Sequence, residues 1–246
     1  GKEFVRYLTE DEELRGMLSF LNELSPMGHI VPDHGRVVQS GLKIIIDHCR
    51  GSAAAGGQSK AFYDSVVVSL EGVIAYALRY ADRVDEAIAR LEKDDPRRNT
   101  LHEIAARLRR VPAEGAKTFA DALQAILIVH CALHWTVEVV PLGRLDQILF
   151  PFYERDLRSG VLTRPQAQEL IDAFWIKLDE RVILNYRHAE NRFTAADGVL
   201  TGSFGASNYD QGGLLNQWMQ QITIGGVLPN DAEEPADACN EVTELC

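Results

Sequence analysis

Cysteine is scarce in this 246-residue chain: four in all, at positions 49, 131, 239 and 246, with no CxxC pair among them. That spacing excludes a zinc ribbon and a thioredoxin-type redox motif. Cys239 and Cys246 would stand roughly 10 Å apart along a helix, too far for a disulfide, so reduced thiols are expected throughout. Positive charge is short as well. Lys and Arg number 25 against 36 Asp and Glu, a net charge of -11. A surface of that sign repels both a phosphate backbone and an anionic bilayer, which argues against nucleic acid or a membrane as main partner. No apolar run reads as long enough to cross a bilayer, and the opening Gly1-Lys2-Glu3 does not read as a signal peptide. The expected address is the cytoplasm. Recognisable catalytic signatures are missing too. Gly202-Ser203-Phe204-Gly205 lacks the GxSxG frame, Gly225-Gly226 lacks the rest of a phosphate loop, and no repeat of fixed period is visible.

What remains is an ordinary globular composition, 46% hydrophobic and 25% charged, in a chain long enough to bury a core without staples. Both ends read as interior sequence. The chain opens in charged sequence without a Met, and it stops in a helix-like stretch in which Ala238, Val242 and Leu245 share a face with no stop signal after them. A piece of a longer chain is the expectation.

Between the ends the pattern is mostly helical. Residues 11–24 have helical spacing, a turn-rich link covers 25–35, and a helix is expected from Val37 to about Cys49, followed by a Gly-rich loop at 51–57. A long 3.6-period pattern runs from Ala61 to Leu91 and ends at Asp95-Pro96; Leu101–Arg110 is another helix, its Arg107, Arg109 and Arg110 expected on a solvated face. Thr118 with Asp121, and Thr163 with Gln166, are capping-box spacings. The helix after Thr118 is apolar almost all round, which places it in the interior. Residues 185–208 break the pattern, and Gln221–Val227 has the β-branched content of a short buried strand.

His130, His134 and Glu138 recur at four-residue spacing on the apolar helix, so they share one face. An i, i+4 histidine pair with a carboxylate can ligate a transition metal. Cys131 breaks the HExxH signature, however, and Glu138 lies about 12 Å along the axis from His130, so a polar seam in a core helix is the expected role. His29, between a glycine and a Pro-containing turn, has an exposed side chain able to reach a pocket, though the residues alone make a surface or capping histidine the expected role.

Four segments carry a resemblance. Gly28-His29-Ile30-Val31-Pro32-Asp33 with Gly41-Leu42 resembles the GHxxPD…GL segment of the glycyl radical enzymes, the pyruvate formate-lyase-like group. Gly143-Arg144-Leu145-Asp146-Gln147, with Pro151 and Tyr153, resembles their GRxDQxxxPxY segment. Ile222-Thr223-Ile224-Gly225-Gly226 and Asp237-Ala238-Cys239-Asn240-Glu241-Val242-Thr243 are similar to the NxTxGG and DAxNExT elements, all in the family's order. The resemblance implies a radical lyase or dehydratase, with a glycine in an RVxGY-type loop that stores the radical and a mid-chain cysteine that becomes a thiyl radical. Neither element occurs in this sequence, so no residue here is assigned catalysis and the chain alone is expected to be inactive. The resemblance also implies a fold: mainly α with a few short strands, residues 1–246 forming the helical outer layer and an early strand of a ten-stranded barrel. The apolar faces of 119–140 and 167–178 would then lack partners in the isolated chain.

By the same resemblance, His29 approaches substrate, and the His-Ser pair of the diol dehydratases falls at Glu138 and Val139. The departure weakens a dehydratase and leaves a decarboxylase or carbon–carbon lyase equally open. No metal ligand is assigned. The implied cofactor is a backbone glycyl radical installed by an S-adenosylmethionine iron–sulfur activase; the implied partners are a small-molecule substrate, that activase and a second copy of the chain. Two other classes stay open on the residues: a non-catalytic helical assembly module, and a helical metal-binding protein using His130 and His134.

Overall fold

The computed structural model describes residues 30–56, 59–133, 140–179, 222–228 and 236–246. The expected helix at 11–24 and the irregular stretch at 185–208 lie outside them. The chain divides into two units, one of residues 32–132, 142–174 and 222–246 and the other of 1–31, 133–141 and 175–221. Most described residues belong to the first. In the second, Val140 and Pro141 are buried, as is Leu178 near the end of a helix.

The helix expected from Val37 to Cys49 is two helices. α1 (His34–Ser40) and α2 (Leu42–Ala54) meet at Gly41, whose φ is +76°. Glycine is required there: a Cβ would lie 2.4 Å from the carbonyl carbon of Glu114, because the loop after α4 crosses the junction. The crossing is stitched by Leu42 N–H to Pro112 O (2.8 Å), Lys43 N–H to Ala113 O (3.0 Å) and Ala116 N–H to Val38 O (2.7 Å). Beyond the break, α2 runs on through Gly51 to Ala54, so the loop expected at 51–57 starts later. The alanines that follow Gly51 favour helix enough to carry it past one glycine.

α3 (Lys60–Ala89) packs along α2 and α4 (Arg97–Arg110). Its Ala77 and Ala81 join Leu108 and Ile128 in a buried cluster, flanked by Val73, Tyr76, Val84 and Ile104. By length and composition alone α3 could cross a membrane, contrary to the reading of the sequence. Asp64, Glu71 and Arg79 interrupt its apolar run, but an average over the helix stays apolar. α4 closes the end of α3 through Arg98, which donates to the carbonyls of Ile88 (2.8 Å) and Leu91 (3.2 Å). The basic turn of α4 is solvated at Arg109 and half-buried at Arg107 and Arg110, and all three are drawn into ion pairs. Arg109 reaches Asp82 (3.2 Å) and Asp85 (2.5 Å), Arg110 pairs with Asp121, and the Arg107 side chain is 18% exposed.

α5 (Phe119–Leu133) is interior, as its composition predicts, with Phe119, Ala122, Ala125 and Ile126 fully covered. The reciprocal cap forms: Asp121 N–H donates to Thr118 Oγ1 and Thr118 N–H to Asp121 Oδ2, both at 3.1 Å. β1 (Gly143–Arg144) leads directly into α6 (Leu145–Arg158), and α7 (Arg164–Asp179) follows the Thr163–Gln166 cap. Asp156 of α6 accepts from the Phe119 amide at 2.6 Å, supplying a partner to one of the free amides at the start of α5.

β2 (Ile222–Thr223) pairs in parallel with β1, Gly143 opposite Ile222 and Arg144 opposite Thr223. β3 (Val227–Leu228) and β4 (Ala236–Asp237) form an antiparallel pair. The strand expected to be buried is therefore two short pieces, with Ile222 half-buried and Thr223 and Ile224 exposed. The glycines between them break it, at φ +63° for Gly225 and +86° for Gly226. α8 (Glu241–Leu245) starts later than its apolar pattern suggests, because Asn240 caps it through Val242 and Thr243 amides; Ala238, Val242 and Leu245 are nevertheless all buried.

Candidate functional site

His29, Glu138 and Val139, the residues expected against substrate, lie outside the described residues, as does His134. His130 is described, fully buried on α5. Opposite it stands a residue that the sequence reading passed over. His34 opens α1, which Asp33 caps by accepting from the Arg36 amide at 2.9 Å. The His34 ring is also fully covered, 6.2 Å from that of His130 and tilted by 57°. Neither ring nitrogen of His34 has a hydrogen-bond partner among the described residues. Burial pushes its pKa down to about 4 against the upward pull of Asp33, so the ring is neutral at neutral pH. The signal in sequence was slight: a histidine just after a helix cap, normally an exposed position. Among the described residues no three histidine, cysteine or acidic side chains gather to hold a metal ion.

The densest polar centre is built by the turn from β1 into α6. Asp146, fully covered on the first turn of α6, receives three donors. Its Oδ1 accepts from the Gln147 amide (2.8 Å), and its Oδ2 accepts from the Gly225 amide (2.7 Å) and the Thr243 hydroxyl (2.6 Å). Burial alone raises the carboxyl pKa; the bonds from Thr243, Gly225 and Gln147 together outweigh it and hold the group below the ordinary carboxylate range. Arg144 donates to the Gly225 and Val227 carbonyls, and Gln147 to that of Ala238 at 2.6 Å. Farther along α6, Tyr153 donates to Glu241 at 2.8 Å, and Arg164 of α7 pairs with Glu244 at 2.7 Å. The turn from β1 into α6, with Tyr153 and Arg164 farther along, thus grips residues 225–228 and 236–244 at several points. Gly225 and Gly226 are turn residues, as their pattern predicts. A Cβ on Gly225 would lie 2.9 Å from Cys239 Sγ, so the positive φ and the close thiol both require glycine.

The thiols beside this clamp are held protonated. Cys239 is exposed; its S–H donates to the Asp237 carboxylate, and that bond with the Asp237 charge raises its pKa. Burial pushes Cys246 up to about 11, with the Asp146 charge adding to it. None of the four cysteines is in a disulfide. A thiol held protonated in either setting is a poor nucleophile at neutral pH.

Comparison with known proteins places these features. The family model for pyruvate formate lyase-like proteins matches residues 3–246. Isethionate sulfite-lyase of Nitratidesulfovibrio vulgaris is 28% identical over 98% of this chain and 28% of its own length. Indoleacetate decarboxylase of Tractidigestivibacter scatoligenes is 35% identical over 57% of this chain and 17% of its own. In structure, the glycerol-bound form of the B12-independent glycerol dehydratase from Clostridium butyricum superposes with a TM-score of 0.70 at 26% identity, covering 97% of this chain and 28% of that one. The chain therefore spans about a quarter of the length of such relatives, and its mainly helical architecture with few short strands is a portion of their barrel. The segments that the clamp holds together are three of the four on which the resemblance rested, and the chain belongs to the pyruvate formate lyase-like family of glycyl radical enzymes.

Proposed function

We propose that this chain forms part of a cytoplasmic, anaerobic glycyl radical lyase or dehydratase acting on a small organic substrate. The observation that supports the reading is the Asp146 clamp. Three segments far apart in sequence meet on one buried carboxylate and its neighbours, so they work as a unit and are not chance matches. A glycyl radical, once installed, supplies a thiyl radical that removes a hydrogen atom from substrate. None of the 19 glycines stands in an RVxGY-type run, and none of the four cysteines falls in the family's loop. Both groups are therefore read as carried on sequence outside these residues. The part left to this chain is binding. His29 and Glu138 would meet polar groups of the substrate, the Glu138 carboxylate accepting from a hydroxyl or pairing with a cationic group, while Val139 keeps the wall apolar. A radical-generating activase and a second copy of the chain complete the assembly.

The test uses the protein as its native source makes it, treated anaerobically with its activase and S-adenosylmethionine. Offered isethionate, indoleacetate, 4-hydroxyphenylacetate, trans-4-hydroxy-L-proline and glycerol in turn, it is expected to show a glycyl radical signal in electron paramagnetic resonance and to turn over one compound of these classes. The absence of any radical, under conditions that load the Nitratidesulfovibrio vulgaris lyase, overturns the reading.

A further inference from the structure

The core takes only one side of α3. Ala77, Ala81 and Ile88 are buried and Val73 and Val84 pack beside them, while Phe62, Val68 and Tyr80 are 63%, 69% and 49% exposed. At about 3.6 residues per turn, Ser65, Val68, Gly72, Ala75 and Arg79 fall in one outward line, all of them exposed, with Phe62 and Tyr80 on its flank. The serines add little polarity to this face. Ser65 Oγ donates to the Phe62 carbonyl (2.7 Å) and Ser69 Oγ to the Ser65 carbonyl (2.9 Å), so both hydroxyl protons are spent inside the helix.

Gly72 has no explanation within the fold. It stands mid-helix, where glycine is the least favourable residue after proline. A Cβ there would meet nothing within 4 Å, so this chain does not itself require the glycine. Gly51 is equally open, but it lies in the last turn of α2, where helices fray. A missing side chain on an exposed apolar face leaves room for the close approach of a second backbone.

Charge decides whose backbone that is. Glu71 is tied to Arg50 of α2, which leaves Asp64 and Arg79 as the charges at either end of the face. No acidic group among the described residues pairs with Arg79. Asp64 holds Lys60 one turn back and has acceptor sites left for a second cation. Arg79 follows Gly72 by seven residues and Asp64 precedes it by eight, about 10.5 Å and about 12 Å along the axis. A second α3 laid antiparallel across Gly72 therefore brings Arg79 of each copy to Asp64 of the other, twice over by two-fold symmetry. Parallel copies would set Arg79 against Arg79 and Asp64 against Asp64. A bilayer is the poorer occupant, since anionic lipid repels a chain of net charge -11 and Arg79 would enter it unpaired.

We infer that α3 is the surface on which a second copy of this chain docks, antiparallel and crossing at Gly72, with Arg79 of each copy paired to Asp64 of the other. The inference gives a place to the second copy proposed above and rests on that reading for the copy's existence alone; no step of the radical chemistry enters it.

The experiment uses the protein as its native source makes it, with the dimer Kd read by analytical ultracentrifugation. Gly72→Leu has room in the single chain and favours helix more than glycine does, so the helical circular dichroism should hold. Its bulk at the crossing should raise Kd by about tenfold or more. Arg79→Glu and Asp64→Lys each set like charges together at both contacts and should weaken the dimer. An equimolar mixture of the two restores opposite charges and should recover the wild-type Kd. Gly72→Cys, on the two-fold axis, should form a disulfide between chains on mild oxidation, mapped by peptide mass against the wild type, whose exposed Cys239 sets the background. If Gly72→Leu does not fold, the charge variants carry the test. A wild-type monomer overturns the second-copy reading and this inference with it. A wild-type dimer overturns the inference alone if Gly72→Leu leaves Kd unmoved or the mixture recovers nothing. So does a Gly72→Cys thiol that stays unlinked because the rest of the chain, or an added phosphatidylglycerol vesicle, is what shields it from maleimide.

Discussion

Acidification tests the buried His34 most directly. The ring is fully covered and has no hydrogen-bond partner among the described residues for either nitrogen, and Asp33 is the charged neighbour that favours its protonation. Its pKa falls from 6.5 to about 4 on folding. Between those values the unfolded chain binds a proton that the folded chain refuses, so stability is complete above about pH 6.5 and is lost as pH falls toward 4. Each pH unit in the window is worth about 1.4 kcal/mol, which makes the full loss about 3 kcal/mol. The assay is urea unfolding of the native-source protein and its His34→Leu variant at steps from pH 7.5 to 4. Carboxylates protonate in both proteins, and their contribution cancels in the difference. The wild type should lose about 3 kcal/mol more than the variant, almost all of it between pH 6.5 and 4. Parallel curves would refute the reasoning, and so would a His34 imidazole resonance titrating near 6.5.

Other expectations follow from packing and caps. Gly41→Ala places a Cβ against the Glu114 backbone at positive φ and should cost about 3 kcal/mol or prevent folding. Gly56→Ala, at a similar φ with open space around it, should cost only about 1 kcal/mol; equal effects in thermal melts would mean that the close approach at Gly41 is relieved at little cost. Asp121→Ala strands Arg110 and the Lys117 and Thr118 amides, with an expected loss of about 3 kcal/mol in urea unfolding, and a change below about 1 kcal/mol would show that water replaces the carboxylate. Iodoacetamide at pH 8 should label exposed Cys239 well before Cys246, and Asp237→Asn should speed Cys239 labelling by removing the negative charge that favours its protonated form. Labelling of Cys246 first, read by peptide mass, would contradict the burial that raises its pKa.

Periodicity and caps made the helices legible, since Thr118 with Asp121 and Thr163 with Gln166 each carry their own start signal within four residues. What escaped a sequence reading were the events that depend on a distant partner. Gly41 breaks a helix because Glu114 crosses it, and the basic turn of α4 is drawn into ion pairs because Asp82, Asp85 and Asp121 come up beneath it. Neither partner is near in sequence. The same holds for His34, whose burial follows from the approach of α5 and not from its own neighbours.

The family motifs were legible as a pattern but not as a mechanism. Gly143-Arg144-Leu145-Asp146-Gln147 suggests, to an eye trained on active sites, a cation and a carboxylate poised for chemistry. In the folded chain both are turned onto backbone. Arg144 is spent on the Gly225 and Val227 carbonyls, Asp146 on two amides and a hydroxyl, and Gln147 on the Ala238 carbonyl. Hydrogen bonds between side chain and backbone depend on where the second strand passes, which no local spacing encodes. Their consequence is that residues 225–228 and 236–243 take their place from the turn between β1 and α6, so a substitution anywhere in that turn is expected to act on the register of β1 against β2 before it touches any reacting atom.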